Sequence, residues 1–142
     1  MYNDNITALV GTGAAGAEPS LASAADIHVF VIPFKCELKQ ARVHVSTAIS
    51  SSGAVVVEFD RTPKSGGVRE ATCVTVNVPT TATTIGTVYY AAPSSKKFLY
   101  EGDIVTVQVA TAATSAGKGY PILILKRIPE EAANNAAMIA SA

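Results

Sequence analysis

The chain has 142 residues with eleven basic and eleven acidic side chains, so its formal net charge is zero. Only 15% of the residues are charged and 49% are hydrophobic, where an ordinary domain carries about 25% charged residues. That length suits one domain with a core of its own, and the charge balance gives no sign of a partner in nucleic acid or an anionic membrane, so neither is expected.

The opening residues Met1-Tyr2-Asn3-Asp4-Asn5 carry no basic region of the secretory type. No run reaches the roughly 18 to 20 continuous apolar residues of a membrane-crossing helix. The first apolar segment, Ile6 to Val10, leads into Gly11-Thr12-Gly13-Ala14-Ala15-Gly16, which has the spelling of the G-x-G-x-x-G dinucleotide fingerprint. That fingerprint works by setting a helix N-terminus against a pyrophosphate. Pro19 falls where the helix would run, no acidic residue follows Ile27 to Ile32 for the ribose, and no strand-helix alternation comes after. The stretch reads as a mobile leader of small residues, and no cofactor is expected.

Period-two alternation dominates the middle of the chain. Ala41, Val43 and Val45 point one way while Gln40, Arg42, His44 and Ser46 point the other. Val74, Val76 and Val78 alternate with Thr75 and Asn77, and Val105, Val107 and Val109 with Thr106 and Gln108. Ala54 to Phe59, interrupted only by Glu58, and Ile122 to Leu125 are apolar runs, which suit strands covered on both faces. Turn residues separate the runs: Ser50 to Gly53, Thr62 to Gly67, Pro79 to Thr84, Pro93 to Ser95, Glu101 to Asp103 and Ser115 to Gly119. About eight strands follow, at 6–11, 26–32, 37–47, 54–61, 71–78, 85–91, 103–110 and 120–128. The expected class is all-β, an antiparallel double-sheet sandwich of jelly-roll type. Residues 1–25 are read as a first strand and a flexible arm, 26–128 as the core, and 129–142 as a tail. In that tail Pro129-Glu130-Glu131 opens a helix candidate, with proline and acids placed to suit the helix dipole.

Chemistry-bearing residues are sparse. Glu58 and Asp60 lie two apart on one strand face and read as a solvent-facing acidic pair beside Arg61, not as a glycosidase pair. His28 and His44 sit inside strands as sheet-face residues, and no G-x-S-x-G motif appears. Cys36 and Cys73 read as small apolar residues; without close C-x-x-C or H-x-x-x-H spacing they form no zinc set with the histidines. No catalytic residue, metal ligand or enzymatic activity is expected. The candidates for partner contact are Arg61, Lys64 and Arg69, on a cationic loop that is either solvated or a docking finger, and Tyr89, Tyr90 and Tyr100.

The succession Leu99-Tyr100-Glu101-Gly102-Asp103, the alternating strand Ile104 to Val109, then Gly117-Lys118-Gly119-Tyr120 and Ile122 to Leu125 resembles small jelly-roll proteins of tailed phages. Earlier segments are similar as well: a strand ending at Pro33-Phe34, then Cys36 to Thr47, a Ser/Gly turn and a valine-rich strand. The likeness runs over residues 26–128 at the level of pattern and is to the capsid decoration, or cement, proteins. It implies a homotrimer on the outside of a capsid, made in the host cytoplasm and bound to the major capsid protein around local symmetry axes. It also implies a structural protein without a catalytic centre, and it assigns no residue a role by position. The alternative is a carbohydrate- or receptor-binding β-sandwich module of a phage tail or head fibre.

Overall fold

A strand with β-branched residues at every second position must bury one face, and two such sheets cover each other at about 10 Å. The computed structural model describes residues 6–12, 18–80 and 84–128, except the side chains of 71 and 72. Among them are nine strands and no helix. The glycines at 13 and 16 and the expected C-terminal helix lie outside the described residues.

The first sheet holds β1 (Ile6–Val10), β9 (Ala116–Arg127), β3 (Cys36–Ser50) and β6 (Val88–Ala91), in that order, with the short β7 (Phe98–Leu99) also paired to β3. The second runs β2 (Asp26–Val31), β8 (Ile104–Thr111), β4 (Val55–Thr62), β5 (Glu70–Val78). Every pairing is antiparallel. The chain changes sheet at each connection except β4–β5 and β6–β7, the interleaving of a jelly roll.

The inward residues are those that alternation marks. Val43, Val45, Val55, Val57, Val76, Val105, Val107 and Val109 are all at most 1% exposed, around the larger Phe59, Leu38, Leu99, Leu123 and Leu125. Each fully buried side chain of this size contributes about 1.5–3 kcal/mol.

Three expectations need correction. A strand, β7, stands at Phe98–Leu99 where none is expected, because two residues have no period to detect. Next, β9 begins at residue 116, not 120, so the turn glycines Gly117 and Gly119 lie in a strand. They are there for close approach: a Cβ on Gly119 would sit 2.9 Å from Val43 Cγ1 and 3.0 Å from the His44 carbonyl oxygen. Finally, the arm expected through residue 25 is anchored from residue 19 onward. Leu21 is fully buried in the core; its N–H donates to the Gly117 carbonyl at 2.9 Å and its carbonyl accepts from Ala113 at 2.8 Å. Gly119 N–H donates to the Pro19 carbonyl at 3.1 Å, and Val109 N–H to that of Ala25 at 2.9 Å.

Candidate interaction surfaces

The turn before β8 is built around a buried carboxylate. Gly102 takes φ +88°, a left-handed conformation open to glycine, and a Cβ there would meet the Lys64 side chain at 2.5 Å. The turn aims Asp103 inward, where it is 2% exposed. Its Oδ1 accepts the Lys64 N–H at 3.0 Å, and its Oδ2 accepts the Tyr100 N–H at 2.9 Å and Arg61 Nε at 2.8 Å. Burial pushes the Asp103 pKa up, but the two backbone donors and Arg61 outweigh it and hold the carboxyl below its ordinary value. Arg61 also donates to Glu70 Oε1 at 3.1 Å, and Lys97 Nζ lies 2.6 Å from Glu70 Oε2. The Lys97 hydrogen bond is the main cause that lowers the Glu70 pKa. Tyr100, 46% exposed, has Lys35 Nζ at 5.7 Å and Arg61 Cζ at 5.6 Å from its ring centre, a cation–π arrangement.

A second ion cluster lies on the outer face of the second sheet. Arg69 Nη2 reaches Asp60 Oδ2 at 2.9 Å, Asp26 Oδ1 at 3.1 Å and Gln108 Oε1 at 3.3 Å. Hydrogen bonding to Asp26 is the leading cause that raises the Arg69 pKa further. Glu58 and Asp60 do share the outer face of β4, but the expected solvent-facing pair is corrected for Asp60. Its residue exposure is 2%, beneath the Arg69 guanidinium. Of the cationic loop residues, Arg61 and Arg69 are therefore committed to carboxylates of the chain, and only Lys64 keeps an exposed side chain. Beside this cluster Val29, Val31 and Ile104 are 50%, 64% and 37% exposed.

The outer face of the first sheet has a different character. Strand register places Val10, Ile122, Arg42 and Tyr90 in one row across all four strands. Neighbouring rows set Ala8 beside Ile124 and Gln40, and Tyr120 beside His44 and Val88. Ile6, Val10 and Tyr90 are 53%, 56% and 64% exposed. Arg42 Nε donates to Gln40 Oε1 at 2.9 Å. Burial, and then the Arg42 charge, lower the His44 pKa. His44 Nε2 and Ser46 Oγ, both buried, have no hydrogen-bond partner among the described residues.

With this geometry in place, comparison with solved structures finds several chains of similar fold, among them the two that follow. A chain of the capsid of Ralstonia phage GP4 matches with a TM-score of 0.54 at 17% identity, over 88% of this chain and 86% of that one. Eiger TNF from S. frugiperda matches with a TM-score of 0.52 at 14% identity, over 89% and 96%. Such likeness shows the fold. No protein-family model matches the sequence, and no curated protein matches it.

The sequence-derived candidates thus fall in different places. Tyr90 stands on the outer face of the first sheet beside Arg42, while its neighbour Tyr89 packs against the core. Tyr100 belongs to the Asp103 cluster. Cys36 and Cys73 are free thiols, raised in pKa chiefly by burial, to about 11 for Cys36. They and the two histidines do not converge: among the described residues no group of three or more His, Cys, Asp and Glu could hold a metal. His28 faces inward, with Nδ1 at 3.0 Å from the Thr12 carbonyl oxygen and its ring edge-on to Phe30 at 4.5 Å. Gly11 is the part of the glycine run described here, and it is buried. Its N–H donates to the Pro121 carbonyl at 2.7 Å, and a Cβ would sit 2.7 Å from both His28 Cδ2 and Pro121 Cγ. Close packing accounts for that glycine. Sequence reasoning passed over Asp103, Glu70, Lys97 and Asp26; Gly-Asp after a turn was the one local signal for Asp103.

Proposed function

We propose that this protein is a structural component of a phage virion, a homotrimer that decorates the outside of a capsid by binding the major capsid protein lattice. The observation that carries this reading is the jelly roll shared with the phage GP4 capsid chain over 88% of the present chain. The surface chemistry supports a mechanical role rather than a catalytic one. Six of its charged side chains tie loops to the sandwich, Asp103, Arg61 and Glu70 at one site and Asp60, Arg69 and Asp26 at another. A rigid block with exposed apolar side chains on both sheets offers contact surface, and linked copies gain from effective concentration even where each contact is weak.

The test is to mix the purified protein with undecorated capsids of the phage that encodes it. Co-sedimentation should saturate at a fixed ratio to the major capsid protein, and the decorated shell should withstand heating that opens the bare one. Absence of binding at micromolar concentration would end the decoration reading.

A further inference from the structure

We propose that one end of the sandwich, formed by loops 32–35, 63–69 and 100–103 and the close of β9, docks an acidic segment of a partner polypeptide. The inference names a contact surface, which the decoration reading leaves open, and it stands on the placement of charge alone.

Antiparallel pairing gathers those loops at one end of the sandwich and loops 19–25, 51–54, 84–87 and 112–115 toward the other. The loops of the far end contain no Asp, Glu, Lys or Arg. The near end is rich in cations, and they fall into two groups. Arg61, Arg69 and Lys97 are paired with carboxylates of the chain. Lys35, Lys64, Lys126 and Arg127 have no ion pair among the described residues. Lys64, Lys126 and Arg127 are exposed, and against the four stands the exposed carboxylate of Glu101.

The loops are laced into one surface by their backbone. Ile128 N–H donates to the Lys35 carbonyl at 3.0 Å, Gly102 N–H to that of Ile32 at 2.8 Å, and Lys64 N–H to Asp103 Oδ1 at 3.0 Å. The Lys64 side chain lies over Gly102. Lys35 Nζ stands 5.7 Å from the Tyr100 ring centre and Arg127 Cζ 4.9 Å from that of Phe34, so two of the long side chains are held in place. Val31, Ile104 and Tyr100, at 64%, 37% and 46% exposure, border these cations in the chain and across the β2–β8 pair. Charge complementarity identifies the occupant: carboxylates set among apolar residues match free cations beside exposed valine, isoleucine and tyrosine. Nucleic acid is a poorer match. Its affinity comes from neutralising many phosphates and its bases stack on open rings, whereas Tyr100 and Phe34 are already faced by cations of the chain.

The experiment is fluorescence anisotropy of a dye-labelled peptide of glutamate and leucine, titrated with the full chain at about 0.01 M salt, where the Debye length is about 30 Å. Binding should saturate, and it should weaken several-fold at about 0.15 M salt, where that length is about 8 Å. Lys64→Glu should weaken it about fivefold. Lys118→Glu makes the same change in charge near the far end and should alter binding less than about twofold. Absence of saturable binding, equal losses in the two variants, or equal binding of a peptide with glutamine for glutamate overturns the proposal. Tighter binding of an oligonucleotide of the same charge overturns it in favour of nucleic acid. Binding that emerges only when the chain is cut after Ile128 overturns it in favour of the chain's own Glu130 and Glu131. Should Lys64→Glu fail to fold, as judged by far-ultraviolet circular dichroism, carbodiimide cross-linking of the peptide to the unaltered protein decides. Cross-links should fall on Lys35, Lys64 and Lys126 several-fold more often than on Lys118, and equal frequencies overturn the proposal. No capsid enters either measurement, so failure here and failure of the decoration reading are separate results.

Discussion

Replacing Asp103 by alanine removes one carboxylate on which three segments converge. Lys64 in the β4–β5 loop, Tyr100 beside β7, and Arg61 at the end of β4 all donate to it, at 3.0, 2.9 and 2.8 Å. Hydrogen bonds to a charged group contribute about 1.5–3 kcal/mol each. They do not add here, because Arg61 keeps Glu70 and the exposed loops let water reach part of what is freed. Breaking a buried ion pair from one side costs about 3–5 kcal/mol, and that is the loss expected for Asp103→Ala. Asp103→Asn should cost roughly half as much, since its amide turns a donor toward one of these donors. For a chain of this size each kcal/mol moves the midpoint by about 2–4 °C, so the alanine variant should melt about 6–20 °C lower. Urea titration at matched protein concentration measures the loss directly. The pH dependence has a definite sign. The folded pKa of Asp103 lies below its unfolded value, so its contribution is complete above the unfolded value of about 3.9. It disappears as pH falls through the folded value, and the gap between the unaltered protein and Asp103→Asn should narrow in acid and stay constant near neutrality. A loss under about 1 kcal/mol for Asp103→Ala at neutral pH would refute the reasoning, because it would mean the loops hold without the carboxylate.

Gly11→Ala should destabilise by about 1–3 kcal/mol through overpacking against His28 and Pro121, while NAD or ATP should leave the melting temperature of the unaltered protein where it is. A saturable rise with nucleotide would restore the dinucleotide reading of the glycine run. Arg69→Ala uncovers Asp60 and should cost about 1–3 kcal/mol in urea titration. Lys39→Ala, which breaks an exposed 3.5 Å pair with Glu37, should stay within about 0.5 kcal/mol, and the reverse order would contradict the assigned burial. With its pKa raised to about 11, Cys36 should resist Ellman's reagent in mildly alkaline buffer until the protein is unfolded, and Cys73 should lag free cysteine. Prompt reaction of both thiols in the native protein would argue against their placement.

The periodicity of Val74, Val76 and Val78, of Val105, Val107 and Val109, and of the Ala41 to Ser46 stretch was legible because side chains alternate along any strand, whatever lies beside it. It located most of the strands and sorted inward from outward residues, placing even Asp60 on the correct face. That Asp60 is buried there was not legible, because the cover comes from Arg69, nine residues on, after the chain has turned back. The turn at Glu101-Gly102-Asp103 could be read, but not the donors Lys64 and Arg61, which stand 39 and 42 residues away. Leu21 looked like one apolar residue in a run of alanine and serine; its burial depends on Gly117 and Gly119 letting β9 come close. Alternation is a property of consecutive residues and needs no partner, so the sequence carried the strands. Ion pairing, the packing of Leu21 and the make-up of the outer face of the first sheet depend on which strands lie side by side, and only long-range pairing decided that.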